Sequence, residues 1–156
     1  MDEKTIEEKR IAHLELIHTT IERMANNSAT IKGWSMGIVA AIVGIGLIGG
    51  GDSKAIGLYF LFACACIITF VMWGLDAFYL FQEKLYRVLY EHIRTTQDIE
   101  EINYSMDARH GTLKRFCNNT IPNYYKVLIN RVIWPFYLSQ IIVYFICLIV
   151  PTLINR

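Results

Sequence analysis

Between residues 108 and 131 the chain reads ARHGTLKRFCNNTIPNYYKVLINR. Arg109, His110, Lys114, Arg115 and Lys126 are basic or titratable donors, and Tyr124 supplies an aromatic face. Basic groups mixed with rings suit a phosphate-bearing ligand such as a nucleotide or a short single strand. Cationic side chains take phosphate oxygens, and rings stack on bases. The same composition also suits a juxtamembrane segment that touches anionic lipid. Taken alone, these residues favour lipid contact.

Catalytic chemistry finds no comparable cluster. No HExxH, GxSxG, Walker A or GxGxxG pattern occurs in the chain. His13, His18, His92 and His110 are scattered, and His13 and His18 stand five apart, not the four that aligns two ligands on one helical face. Cys64, Cys66 and Cys147 sit in apolar runs and Cys117 in a polar one, with no zinc spacing, so they read as reduced core thiols. The expectation is a protein that is not an enzyme and holds no metal and no cofactor. Asp76 closes an apolar run, which makes it a functional suspect in a membrane protein. At a run's end it reads more simply as a structural partner of Lys32 or Tyr79.

The elements that must carry these residues follow from three apolar runs, 34–50, 55–75 and 132–154, none of which contains Asp, Glu, Lys or Arg. A hydrophobic share of 54% and a mean hydropathy of +0.34 exceed what a soluble domain of this length carries. A net charge of +1 offers no general attraction for nucleic acid, so a basic site must be local. About 20 apolar residues cross a bilayer. The reading is an all-α integral membrane protein with three transmembrane helices. Thirteen of the 15 Lys and Arg residues precede the first run or lie between the second and third, leaving Lys54 and Arg156 on the other side. The positive-inside rule then places the N-terminus and 76–131 in the cytoplasm and the C-terminus outside. The first apolar run follows a long charged helix, which argues against a cleaved signal peptide.

In the stretch MWGLDAFYLFQEKLYRVLYEHIR, 72–94, nothing breaks a helix as it passes from apolar to charged sequence. In the N-terminal segment Leu14, Ile17, Ile21, Met24, Ser28 and Ile31 recur at steps of three and four, a heptad-like seam. The first two runs therefore extend into the cytoplasm as a long helical hairpin whose turn lies in GGGDSK, 49–54. The expected segments are a cytoplasmic amphipathic helix at 1–31, spans at 32–50 and 55–75 around an external turn at 51–54, and a cytoplasmic extension at 76–95. A cytoplasmic loop or helical region at 96–131 leads to a third span at 132–154. Four opposite-charge pairs lie nearly equidistant from that turn: Lys32 with Asp76, Arg23 with Glu83, Glu22 with Arg87 and Glu15 with Arg94. Glu83 and Arg87 also stand at i, i+4 in the favourable order. Gly33, Gly37 and Ala41, and separately Ala40 and Gly44, form small-residue rows suited to close helix contact inside the hairpin or between copies. Gln140, with Ser139 the only strongly polar residue of the third run, reads as helix–helix glue or as pore lining.

The segments HLELI (13–17), ERMANNSATIKGWSM (22–36), WGLDAFYLFQEKLYRVLYEHIR (73–94) and YSMDARH (104–110) resemble a family of small bacterial membrane proteins. Its members serve as membrane effectors in anti-phage defence, including the Hailong type. Arg23, Asn27, Lys32, Trp34, Asp76, Glu83 and Arg87 fall within the matching blocks. The resemblance implies a bacterial inner-membrane location and control by an oligonucleotide or nucleotide signal from a neighbouring nucleotidyltransferase. The expected function is an ion channel or membrane-disrupting pore in an abortive infection response. Three spans cannot enclose a pore, so the partner is the chain itself in a cyclic homo-oligomer, such as a tetramer, within the lipid bilayer. The alternative is a non-conducting membrane adaptor whose helical stalk docks a soluble protein.

Overall fold

A computed structural model describes residues 3–48, 55–96, 105–109, 111–113 and 121–154. Among them run α1 (Glu3–Ile48), α2 (Ala55–Thr95), the short α3 (Tyr124–Leu128) and α4 (Trp134–Ile154); residues 111–113 are also helical, and no strand occurs among the described residues. The predicted turn at 49–54 lies outside the described residues.

α1 runs for 46 residues because nothing stops it. It contains no proline, and it passes through Gly33, Gly37 and Gly44, each of which costs about 1 kcal/mol relative to alanine in a water-exposed helix. α2 is likewise free of proline over 41 residues. α4 tolerates Pro135 because the second helical position needs no intrahelical donor. At the end of α2 the Arg10 guanidinium donates to the Arg94 carbonyl at 2.7 Å, and the Thr96 hydroxyl and N–H both donate to the His92 carbonyl, at 2.7 and 3.1 Å. These bonds satisfy carbonyls that have no partner further along the helix.

The chain divides into two compact units, Met1–Asn27 with Phe78–Val127 and Ser28–Ala77 with Leu128–Arg156. The division falls within α1 and within α2. In the first unit Ile17 and Ile21 of α1 pack with Leu85, Leu89 and Ile93 of α2, and Ala108 and Leu113 close the cluster. In the second unit Val39 and Ile42 of α1 pack with Phe62 and Ala65 of α2 and with Tyr144 of α4. The predicted seam is the buried edge of α1: Ile17, Ile21, Ser28 and Ile31 are buried, and Leu14 and Met24 are half-buried.

Two helices are long and apolar enough to cross a membrane, over Lys4–Ile45 and Tyr59–Thr95, and α4 contributes a shorter apolar stretch, Trp134–Ile149. Only 28% of the most apolar window of each long helix is buried against the chain. Phe60 is 72% exposed, Trp34 65% and Ile67 64%. A helix at the core of a soluble bundle would hide such side chains.

Candidate functional site

Asp76 is the centre of the second unit. It sits on α2 with no exposed surface. Its carboxylate meets donors from two other helices. Lys32 of α1 places Nζ 2.6 Å from Oδ2 and 2.7 Å from Oδ1. Ser28, one turn earlier on α1, donates its hydroxyl to Oδ1 and accepts from Lys32 Nζ at 2.8 Å. Tyr137 of α4 donates to Oδ2 at 3.3 Å. Ser28 and Lys32 stand four apart and so share a helical face. Burying a carboxylate costs several kcal/mol, and here an ammonium and two hydroxyls replace the water it loses.

Trp73 supports this arrangement. Its ring stacks on Tyr137 with centroids 6.3 Å apart and planes at 16°. Its indole N–H donates to the Leu128 carbonyl at 3.1 Å, which holds the chain just ahead of α4. Two more polar pairs follow along α4. Ser35 of α1 donates to Gln140 Oε1 at 2.6 Å, and Thr69 of α2 shares a hydrogen bond with the Tyr144 hydroxyl at 3.2 Å. Tyr137, Gln140 and Tyr144 stand at steps of three and four and are all buried, so one face of an otherwise apolar helix carries all three polar ends. Ser139 lies off that face and bonds back to the Phe136 carbonyl at 2.7 Å.

Of the four predicted charge pairs, the structure brings together Lys32 and Asp76. The other three do not form. Glu83, buried, takes Arg87 one turn along its own helix at 2.8 Å. Glu22 takes His18 at 3.3 Å, and Arg94 takes Glu91 at 2.7 Å. Arg23 and Glu15 are exposed. The correction has a simple cause. Glu15, Glu22, Arg23, Arg87 and Arg94 lie off the buried seam, and a partner one turn away is reached with less ordering than one on the other helix.

The predicted phosphate-binding set is not gathered among the described residues. His110, Lys114 and Arg115 lie outside them. Arg109 is exposed, and its Nε and its N–H donate to Asp107 at 2.9 and 3.2 Å. The Arg109 guanidinium, then its N–H, hold the Asp107 carboxyl below the usual range. Tyr124 packs edge-on to Phe81 with centroids 5.7 Å apart, and Lys126 is exposed. The small-residue row of α1 is also corrected as an internal contact. Gly37 and Ala41 are exposed, Gly44 is half-buried, and a Cβ added at Gly33, Gly37 or Gly44 would meet no neighbouring helix within 4 Å. Gln140 is glue within the chain, not an exposed lining residue.

Ser28, Ser35, Thr69, Tyr137 and Tyr144 join the site although their residue types alone do not mark them in the sequence. The available signal was the spacing of Tyr137, Gln140 and Tyr144, which repeats the step of a helical face. No group of three or more His, Cys, Asp and Glu side chains suited to a metal occurs among the described residues. No protein-family model, curated protein or solved structure matches the chain.

Proposed function

We propose that the chain is a membrane protein that conducts ions as a cyclic homo-oligomer in the bacterial inner membrane. Its opening or closing is set by a nucleotide or oligonucleotide signal, as an effector of anti-phage defence. The observation that carries the membrane part is the inversion of the second unit. Its outward residues, among them Phe60, Ile67 and Trp34, are apolar. Its interior holds Lys32, Asp76, Gln140 and the hydroxyls of Ser28, Ser35, Thr69, Tyr137 and Tyr144, joined by hydrogen bonds. In hydrocarbon, helices gain nothing by burying leucine, and hydrogen bonds between helices supply part of the cohesion.

α4 is the third span in this reading. The N-terminus and 76–131 face the cytoplasm, and the C-terminus lies outside. The exposed row of Gly33, Gly37 and Ala41 supports contact between copies, because small residues let helices approach. The basic 108–131 segment is the place for the signal. Ion flux from proteoliposomes, with and without short oligonucleotides and cyclic nucleotides, tests the reading. Flux that one nucleotide switches supports it. Inert vesicles holding correctly inserted oligomers overturn it.

The adaptor reading is favoured by one observation. Ile11 and Leu16 are 58% and 60% exposed on the part of α1 that belongs to the first unit, which carries the charged sequence. Capture of one stoichiometric soluble partner that Ile11→Ser and Leu16→Ser abolish, together with inert vesicles, would establish it.

A further inference from the structure

The turn ahead of α4 presents an unusual surface. Ile129 and Val132 are 67% and 70% exposed, Trp134 is 40% exposed, and Arg131 lies exposed among them. The backbone beneath is fixed. The N–H groups of Ile133 and Trp134 donate to the Asn130 carbonyl at 2.9 and 3.2 Å, Trp73 holds the Leu128 carbonyl, and Ile133 is fully buried. The backbone therefore sets which way these side chains face. Arg131 forms no ion pair among the described residues.

The arrangement selects its occupant. Water leaves three large apolar side chains unburied. A second copy packed face to face by a two-fold axis would set Arg131 against its own equivalent, like charge against like. A neutral apolar surface would leave the guanidinium uncompensated. An anionic leaflet supplies hydrocarbon and phosphate side by side, and the patch runs directly into the apolar stretch Trp134–Ile149.

We propose that the 129–134 turn is a docking surface for anionic phospholipid. The Arg131 guanidinium takes the headgroup phosphate in a two-pronged bond while Ile129, Val132 and Trp134 enter the boundary of the acyl layer. The proposal rests on the membrane reading above and adds the headgroup class that the chain prefers. Arg131 stands outside the Asp76 cluster, so changing it leaves that cluster whole.

The test uses the full chain in vesicles of phosphatidylcholine with an equal share of phosphatidylglycerol. Resistance to an alkaline carbonate wash is scored first, and release of the wild-type chain overturns both the membrane reading and this one. The retained chain is then extracted in mild detergent and its bound lipid counted by native mass spectrometry. The wild type should keep phosphatidylglycerol over phosphatidylcholine. Arg131→Gln should lower that preference about fivefold, the weight of one basic group at an anionic surface, and Arg131→Lys should keep most of it. Ile129→Ser with Val132→Ser should reduce retention of both lipids. Equal phosphatidylglycerol retention by the wild type and Arg131→Gln, from chains that resist carbonate, overturns this inference alone.

Discussion

A carboxylate with no exposed surface is stable only as well as its partners are placed. Removing Lys32 leaves the Asp76 charge buried with two hydroxyls. Lys32→Met should cost about 3–5 kcal/mol of stability, and Asp76→Asn a similar amount. The double variant should cost well under the sum, because neither charge is then stranded. Unfolding in mixed micelles of graded denaturing detergent gives these values, and strict additivity would show that the two side chains do not act as a pair. Tyr137→Phe should cost about 1 kcal/mol, since the carboxylate keeps its other donors. His13 gives a different dependence. It is buried in the first unit, and burial pushes its imidazole below the ordinary value of 6.5. The folded form then stays neutral where the unfolded chain takes up a proton. Stability from this group is fully present above 6.5 and falls as pH drops below it. Thermal unfolding at pH 7.5 and 5.5 should show the loss, and His13→Leu should flatten that part of the profile.

At the level of helices, much of the fold is legible from spacing. Ile17, Ile21, Ser28 and Ile31 mark the buried edge of α1 because a helical face repeats every three or four residues. The absence of proline from α1 and α2 announces their length. The charge pairs were less legible because a charge on a helix has two kinds of partner, one on the facing helix and one a turn away. Spacing about a turn detects the first kind alone. Lys32 and Asp76 meet because Asp76 lies on the buried face, whereas Glu22 and Arg87 lie outside it. Reversing the charge at Glu22 should therefore disturb only its His18 contact and shift stability by less than about 0.5 kcal/mol. Tyr137 and Tyr144 were harder to read. In an apolar run a tyrosine counts as hydrophobic, and its hydroxyl acquires meaning only from the Asp76 or Thr69 that faces it across more than 60 residues of sequence. The glycine row of α1 allows a further test. A Cβ at Gly37 meets nothing within 4 Å, so Gly37→Leu should leave the fold intact; if copies pack through this row as proposed above, the substitution should weaken their contact. Cross-linking in native vesicles checks this, and an unchanged ladder of oligomers would remove the row from the assembly.

For the molecule as a whole, the central contrast is between polar groups kept inside and apolar groups turned out in the second unit. A conducting assembly needs a polar path, and the buried polar side chains around Asp76, Gln140 and Tyr144 bond to one another within a single chain. Conduction by the homo-oligomer would then depend on surfaces where copies meet, or on release of the bonds that Tyr137, Gln140 and Tyr144 make. If release is the route, Gln140→Leu should change flux under conditions where wild-type vesicles are quiet, and single-vesicle flux measurements can separate that from a change in assembly. The tryptophans carry a consequence of another kind. The chain has three, and each stands within one helical turn of a member of the Asp76 cluster: Trp34 beside Lys32, Trp73 beside Asp76 and Trp134 beside Tyr137. Intrinsic fluorescence therefore samples a zone within about one helical turn of the ion pair. Quenching by lipids brominated at successive carbons would make the protein its own depth gauge, reporting how far the ion pair sits from the bilayer centre without any added label.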